Sequence, residues 1–399
     1  MQSPSRPYPA PRVVQLDALR GIAVIGIAWM NVYAFALPLQ AYYNPAVFGM
    51  ESAADRWVWA AGFVFVEDKF RTLFAMLFGA GCLILLERDS ERPMHGHYAR
   101  MAVLFLIGLA HSVFLASNDV LRAYAMAGLA LPFLARLSSF KLYAIAIGLA
   151  AVHVGAGINL FGTAILDFYQ GRLNSDASLF AERNFGVAAG AVENAMRLGQ
   201  ESIADRVPRR IEGIPAQLRT LLASLPINLA AMVLGMALWR DRMLAAEWRT
   251  FRYQRLAATC AALSLPFLLA IVWWVSSGGF PGALMGAAAL VVSAPFDMLL
   301  GLAYAALVMT IVSGKGVFAQ RIAAVGRLSL TNYIATSVVL AAIFASWGLG
   351  LFAQLSRAQS FAVSFVPIAG MLLWSPLWLA QFQQGPLEWV WRRAARVLS

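Results

Sequence analysis

The sequence predicts an all-α, polytopic membrane protein with about ten transmembrane helices and both termini in the cytoplasm. Three observations predict this fold class. Hydrophobic residues make up 60% of the 399 residues, and charged residues make up only 13%. The apolar residues form continuous runs instead of alternating with polar ones, as expected for helices that cross a bilayer. Arginines gather in connections that fall on one side of these runs, the bias typical of cytoplasmic loops.

The predicted spans follow from the length of each apolar run, because roughly 20 apolar residues in a helix cross the hydrocarbon core. They lie at 21–39, 70–87, 101–118, 120–136, 140–165, 219–239, 256–276, 285–313, 323–347 and 362–382. The run that contains Trp57, Trp59 and Phe65 is shorter and interrupted by charge, so it predicts an interfacial helix. Residues 1–399 are expected to form one transmembrane domain with a polar outer loop at 166–218.

The net charge of +11 is explained by orientation in the membrane. An inverted protein would place Arg240, Arg242, Arg249, Arg252 and Arg255 outside, against the positive-inside rule. The lipid bilayer is therefore the predicted partner, and no nucleic acid is expected. Homo-oligomerisation is left open.

Several classes of chemistry lose support because their motifs are missing. The chain has no Walker loop, no glycine-rich dinucleotide fingerprint, no His-Glu-x-x-His and no Gly-x-Ser-x-Gly. Cys82 and Cys260 fall in distant predicted spans, where buried free thiols are expected. No metal is predicted.

The first span carries polar groups at and below its cytoplasmic end. Asp17 and Arg20 are three residues apart and share a helix face, and Asn31 lies roughly 16 Å further along the same helix. Polar groups at membrane depth usually face a protein-lined cavity. The pattern predicts either such a cavity or an orientation anchor with a helix-packing asparagine.

His111 is a candidate for chemistry because it lies inside an apolar span. An apolar environment favours a neutral imidazole, the form that a general base or an acyl-accepting nucleophile needs. The alternative is a histidine that hydrogen-bonds a neighbouring helix. Asp119 follows eight residues later, about 12 Å along a helix, so it reaches the imidazole only if the helix breaks.

Charged residues cluster at the predicted outer ends of the second and third spans. Glu67, Lys69 and Arg71 open one, while Asp119 and Arg122 follow the other. They predict either a vestibule that positions an acceptor or ordinary interfacial ion pairs.

Arg327 and Asn332 form a second polar group, at the start of the ninth span. Arg327 could join Arg20 in holding a phosphate-bearing ligand, with Asn332 deeper in the membrane. The alternative is anchoring and helix packing. In the eighth span, Pro295 and Asp297 predict either a broken helix or a simple kink.

These motifs together resemble the YeiB-like family of bacterial inner-membrane proteins, defined by domain of unknown function 418. The resemblance runs across nearly the whole chain. It rests on Leu16-Asp17-Ala18-Leu19-Arg20-Gly21, Lys69-Phe70-Arg71-Thr72-Leu73-Phe74, Gly108-Leu109-Ala110-His111, Asn118-Asp119, Leu330-Thr331-Asn332-Tyr333 and Gly385-Pro386-Leu387-Glu388-Trp389.

That family is similar, more distantly, to the transmembrane acyltransferases, which include the acyltransferase-3 proteins and heparan-α-glucosaminide N-acetyltransferase. The resemblance implies acyl transfer across a bacterial inner membrane. In acyltransferase-3 proteins an arginine at the start of the first span is followed, after ten residues, by a histidine. Arg20 matches that arginine, and Asn31 stands in the place of the histidine, which leaves His111 as the candidate catalytic histidine.

The leading expectation is an acyltransferase that moves an acyl group, acetyl in view of the resemblance, from cytoplasmic acyl-CoA to a small-molecule or glycan acceptor outside. The expected catalytic groups are His111, Asn31 and Asp119. Arg20, Arg327 and Asn332 are expected to hold the donor, and Glu67, Lys69, Arg71 and Arg122 the acceptor. The alternatives are a transporter or flippase of a small anionic or amphipathic solute, and a catalytically silent scaffold.

Overall fold

The structure, a computed structural model, describes residues 13–88, 93–312 and 316–398. Within these ranges the chain forms helices joined by turns and irregular connections, and it contains no β-strand. The helices before the predicted outer loop are α1 (Val14–Ala36), α2 (Leu39–Tyr43), α3 (Ala53–Phe65), α4 (Lys69–Arg88), α5 (Pro93–Phe114), α6 (Leu121–Gly128), α7 (Leu131–Leu134) and α8 (Ser139–Tyr169). The all-α class is therefore confirmed.

The remaining helices comprise three short ones in the outer loop and nine after it. They are α9 (Asp176–Phe185), α10 (Ala189–Gly199), α11 (Ile203–Glu212), α12 (Ile214–Arg240), α13 (Thr250–Ser277), α14 (Gly282–Ala287), α15 (Ala294–Ile311), α16 (Val317–Arg327), α17 (Ser329–Phe344), α18 (Arg357–Val363), α19 (Phe365–Gln381) and α20 (Pro386–Leu398). A 3₁₀ turn forms at Pro45–Val47, and a π-helical turn forms at Ala288–Val292.

Within the described ranges, eight helical stretches are long and apolar enough to cross a membrane. The number is nine if α16 and α17, which meet at an angle of 84°, count as one broken span. The chain is thus a multi-pass membrane protein.

The predicted span at 120–136 differs most from the structure, because it forms the short helices α6 and α7 instead of one long helix. Pro132 supplies the physical reason: it has no N–H to donate to the carbonyl of Gly128, and its ring crowds that position. The imidazole Nε2 of His97 lies 2.8 Å from the Gly128 oxygen and satisfies it instead. A side chain from α5 therefore stabilises the break.

The predicted interfacial helix is part of the bundle. Helix α3 packs against α13 and α18, and it forms a continuous apolar stretch with α4 over Ala53–Glu87. Trp57 is 75% exposed, but Trp59 is only 5% exposed. Of the charges in this run, Asp55 lies in the first turn of α3, where its carboxylate accepts from the N–H of Ser52 at 3.0 Å and from that of Ala358 at 2.8 Å.

Helices α4 and α12 pack in close contact at glycines. A Cβ on Gly79 would lie 2.0 Å from the Met232 carbonyl oxygen, and one on Gly235 would lie 1.8 Å from that of Met76. Small residues at such crossings allow two membrane helices to approach backbone to backbone. This contact fixes the middle of α4 against α12.

The predicted eighth span is broken before its proline. The π-helical turn ends at Val292, and α15 starts at Ala294, with Pro295 in its first turn. Residue 313, the predicted end of this span, lies outside the described residues. The break places Asp297 at the beginning of a new helix, where the free N–H groups of the first turn favour a carboxylate.

The segment 166–218, predicted to be an outer loop, lies against the ends of the spans. The amide of Asn44 donates to the carbonyl oxygens of Phe185 and Phe280, at 2.7 and 2.9 Å. Arg210 donates to the carbonyl oxygens of Ser112 and Val113 at the end of α5, at 3.3 and 3.2 Å. Burial lowers the pKa of Arg210 to about 10, so it stays charged near neutral pH and caps that helix end.

Candidate functional site

The candidate site is built where α5 ends. The His111 carbonyl oxygen accepts hydrogen bonds from the N–H groups of both Leu115 and Ala116, at 2.9 and 3.0 Å, and the helix stops there. The chain then folds back, so that Asp119 Oδ1 lies 2.9 Å from His111 Nδ1. The expected 12 Å separation along a helix is not observed, because the helix breaks between the two residues.

Ser337 completes a three-residue chain of hydrogen bonds. Its Oγ lies 2.9 Å from His111 Nε2, and all three side chains are buried. An ionised carboxylate can only accept hydrogen bonds, so the proton of the His111 imidazole is placed on Nδ1, facing Asp119. Nε2 then accepts a hydrogen bond from the Ser337 hydroxyl. This is the order of acid, base and nucleophile in serine acyl-transfer enzymes.

Arg122 and Gly108 hold the Asp119 carboxylate in place. The Arg122 backbone N–H donates to Asp119 Oδ2 at 2.9 Å, and its Nε lies 3.7 Å from the same oxygen. A Cβ on Gly108 would lie 2.6 Å from that oxygen, so only glycine leaves room for the returning chain. Arg122 also donates to Gln217 Oε1 at 2.9 Å. Arg122 is therefore buried beside Asp119 and positions it.

Tyr333 covers the site from α17. Its ring centroid lies 5.1 Å from that of His111, and its hydroxyl accepts from the Val120 N–H at 3.4 Å. The loop that carries Asp119 is thus attached to the helix that carries Ser337. Because the imidazole and the hydroxyl are both buried, entry of a substrate requires these packed groups to move.

The predicted outer vestibule divides into two parts. Lys69 Nζ lies 2.6 Å from Asp297 Oδ1, and the two side chains are only 1% and 2% exposed. Lys69 also donates to the Phe63 carbonyl oxygen, and Glu67 is buried nearby, at the same junction of α3 and α4. This part is an internal charge cluster, so Lys69 does not face solvent.

Arg71 belongs to the second part and is more accessible. Its Nε and Nη2 donate to the two oxygens of Asp68 at 2.7 and 2.8 Å, and these side chains are 30% and 25% exposed. Nη1 approaches Asn228 Oδ1 at 3.5 Å, and Tyr124 donates to the Arg71 carbonyl oxygen at 2.6 Å. Asp68 and Arg71 thus form a partly exposed ion pair beside the buried amide of Asn228.

Arg20 and Arg327 lie on helices that touch at glycines. Arg20 Nη1 lies 3.1 Å from Asp17 Oδ1, and Arg327 Nη2 donates to the Gln383 carbonyl oxygen at 3.0 Å. A Cβ on Gly326 would lie 1.8 Å from the Asp17 carbonyl oxygen. The two arginines therefore flank one tight crossing of α1 and α16.

The two predicted asparagines differ in their surroundings. Asn332 donates to the Val325 oxygen and to Ser375 Oγ at 3.0 and 3.1 Å, and it accepts from Trp374 Nε1 at 2.9 Å. Both amide hydrogens are engaged, so Asn332 joins α17 to its neighbours and is not free to hold a donor in this structure. Asn31 is half-buried on α1.

Sequence reasoning missed Ser337, Asp68 and the pairing of Lys69 with Asp297. Ser337 lies four residues after Tyr333, on the same face of an apolar helix, and this spacing is the signal that could have found it. Across the described ranges no group of three or more His, Cys, Asp or Glu side chains is arranged to hold a metal ion. Cys82 and Cys260 are buried free thiols.

Comparisons with known proteins place the chain among relatives of unknown function. The family model described as "Protein of unknown function (DUF418)" matches residues 238–397. The chain is 32% identical over 390 residues to "Uncharacterized protein YeiB" of Escherichia coli (strain K12), with 96% of each chain covered. It is 26% identical to "Uncharacterized protein YxaH" of Bacillus subtilis (strain 168), over 96% of this chain and 94% of the relative.

Proposed function

This chain belongs to the YeiB-like DUF418 family, and from that premise we propose that it is a membrane-embedded acyltransferase of the bacterial inner membrane. The proposed reaction moves an acyl group, in the simplest case acetyl, from cytoplasmic acyl-CoA to a hydroxyl or amine acceptor on the outer side. One observation carries the proposal: His111 lies 2.9 Å from both Asp119 Oδ1 and Ser337 Oγ.

The proposed chemistry has two steps. Ser337 Oγ attacks the thioester carbonyl while His111 Nε2 takes its proton, the C–S bond breaks, and the proton passes to the departing thiolate of CoA. The acceptor then attacks the Ser337 ester as His111 takes the acceptor's proton and returns it to Oγ. Asp119 holds the imidazole in the required tautomer throughout.

The charge that develops on the carbonyl oxygen needs a hydrogen-bond donor. Asn31 is the proposed donor, because Met30 and Tyr33 beside it pack with Leu340 and Phe344 in the outer half of α17. Asn332 is excluded from this role because its amide hydrogens are engaged.

The proposed substrates approach from opposite sides. Arg20 and Arg327, at the cytoplasmic end, would hold the phosphates of the donor, because guanidinium groups bind phosphate with paired hydrogen bonds. Arg71 and Asp68 would bind a polar acceptor, since their side chains are accessible and Tyr124 connects them to the region of the triad. Lys69 and Glu67 stabilise the wall of this space instead of touching the acceptor.

The test is direct detection of the acyl-enzyme. Purified protein in lipid nanodiscs is incubated with [14C]acetyl-CoA without acceptor, digested and analysed by mass spectrometry. We expect an acetyl group on Ser337 in the wild type and in Ser112→Ala, a matched control whose hydroxyl bonds only to the Leu109 oxygen of its own helix. Label elsewhere, or equal labelling of Ser337→Ala, would contradict the nucleophile assignment.

A second candidate function is proton-coupled transport of a small anionic or amphipathic solute. The buried ion pair of Lys69 and Asp297, with Glu67 nearby, favours it, because charges inside a membrane bundle often mark proton or solute pathways. Proton flux that depends on a solute in proteoliposomes, lost in Asp297→Asn and unaffected by Ser337→Ala, would support transport over acyl transfer.

A further inference from the structure

A cavity of about 310 Å³ lies between α5 and α20, away from the triad. It is lined by Gly96, Arg100, Gln384, Arg392, Ala395 and Arg396. Half of these residues are arginines, and none of the six carries a carboxylate. We call this cavity the arginine pocket.

The helices that form the arginine pocket are held together by apolar packing and one hydrogen bond. Ala395 packs against Ala99 and Val103, and Trp391 Nε1 donates to the Arg100 carbonyl oxygen at 2.8 Å. Arg392 and Arg396 are four residues apart, so they share a face of α20, and Arg100 faces them from α5. The convergence of the three arginines follows from this packing.

The wall formed by α20 is also fixed at its first turn. Glu388 accepts hydrogen bonds from the N–H groups of Leu330 and Thr331 at 2.8 and 3.2 Å, and from the Thr331 hydroxyl at 2.5 Å. These are the free donors at the start of α17. Helix α20 is therefore attached to both α5 and α17, which fixes the backbone that carries Arg392 and Arg396.

Membrane orientation alone does not account for this arrangement. The positive-inside rule requires arginines near the cytoplasmic ends of the spans, a condition that Arg393 meets equally well. Arg393 stacks on Trp389, with its guanidinium carbon 5.5 Å from the ring centroid, and it does not line the pocket. Arg100, Arg392 and Arg396, by contrast, line one concave space.

We propose that the arginine pocket binds a phosphate-bearing anion at the cytoplasmic face. Guanidinium groups present paired N–H donors that match phosphate oxygens, and the Gln384 amide offers a further donor. Two kinds of ligand present such a phosphate at a membrane surface: coenzyme A, through its nucleotide phosphates, and an anionic phospholipid, through its headgroup. They are the two possible sources of the anion. Only the coenzyme A source rests on the proposed function; the phosphate site itself stands without it.

The experiment measures binding of both sources to the full-length protein. Coenzyme A is titrated by calorimetry into protein in zwitterionic nanodiscs, and retention of phosphatidylglycerol against phosphatidylcholine is measured by native mass spectrometry. The test variant is Arg100→Gln/Arg392→Gln/Arg396→Gln, with Arg393→Gln as the matched control. Arg392→Gln alone replaces the triple variant if the latter is not monodisperse.

We expect at least one probe to bind saturably and to weaken about tenfold or more in the test variant, with little change in Arg393→Gln. Weakening for coenzyme A identifies the nucleotide source, and weakening for phosphatidylglycerol identifies the lipid source. The proposal is overturned if neither probe binds the wild type, or if test and control variants behave alike. Acetylation of Ser337 by acetyl-CoA is a separate measurement, so failure of the acyltransferase proposal is distinguished from failure of the phosphate site.

Discussion

Asp119 hydrogen-bonds His111 across a broken helix end, with Oδ1 2.9 Å from Nδ1. The two residues are eight apart in the sequence, which would separate them by about 12 Å along a continuous helix. The break converts a lone buried histidine into one with a carboxylate on Nδ1 and a serine hydroxyl on Nε2. The series of carboxylate, imidazole and hydroxyl at this site depends on the hydrogen bond between Asp119 and His111.

Replacing Asp119 with asparagine keeps the shape of the side chain and removes its charge. An amide can donate to Nδ1, which favours the tautomer that no longer accepts from Ser337. We expect acyl transfer to fall by roughly 10³-fold or more, as in related triads, with unchanged expression and elution profile. Steady-state release of CoA from acetyl-CoA measures it. Activity within a few-fold of wild type would show that His111 does not act through Asp119.

Gly108→Ala tests the geometry without touching a reacting group. The new Cβ would lie 2.6 Å from Asp119 Oδ2 and 2.9 Å from the Arg122 backbone nitrogen, so the returning loop must shift. We expect kcat for acyl transfer to fall more than KM rises, because the shift misplaces the imidazole. The matched control is Gly148→Ala on α8, where a Cβ meets nothing within 4 Å. Equal activity of both variants would contradict a positioning role.

Lys69→Met should strongly destabilise the fold. It leaves Asp297 as an uncompensated charge in a site where both side chains are at most 2% exposed, and breaking a buried pair costs about 3–5 kcal/mol. The double variant Lys69→Met/Asp297→Leu should recover most of that loss. The apparent Tm in detergent, followed by fluorescence-detected size exclusion, measures both.

The control for the buried pair is Arg242→Gln. Arg242 pairs with Glu247 at 2.9 Å, and their side chains are 61% and 51% exposed, so its loss should cost at most about 1 kcal/mol. If the double variant is no more stable than Lys69→Met alone, the two charges do not stabilise each other as proposed.

Glu388→Ala should loosen the start of α17. It removes the acceptor for the N–H groups of Leu330 and Thr331 and for the Thr331 hydroxyl, which costs roughly 1–3 kcal/mol for buried donors. We expect faster hydrogen exchange at the first turn of α17, measured by mass spectrometry. The exposed Glu51 provides the control substitution, Glu51→Ala, which should leave exchange there unchanged.

The sequence by itself determined the all-α class and most of the spans, because twenty-residue apolar runs have few alternatives to a helix in a bilayer. It also singled out His111 inside an apolar span and Asp119, Arg122 and Arg71 at the predicted outer ends of spans. It misjudged 120–136, where Pro132 interrupts the helix and His97 takes the Gly128 carbonyl. The hydrogen bond to this carbonyl comes from a residue about thirty positions away in the sequence, so no local pattern reveals it.

Tertiary structure alone decided which polar groups meet. Ser337 is 226 residues from His111, and Asp297 is brought to Lys69 by a π-helical turn followed by a new helix start. In a membrane bundle, apolar faces are alike and specify pairing weakly, so close glycine contacts and buried hydrogen bonds select the partners. Because of those contacts, the Asn332 side chain hydrogen-bonds neighbouring helices, whereas the Ser337 hydroxyl faces the His111 imidazole.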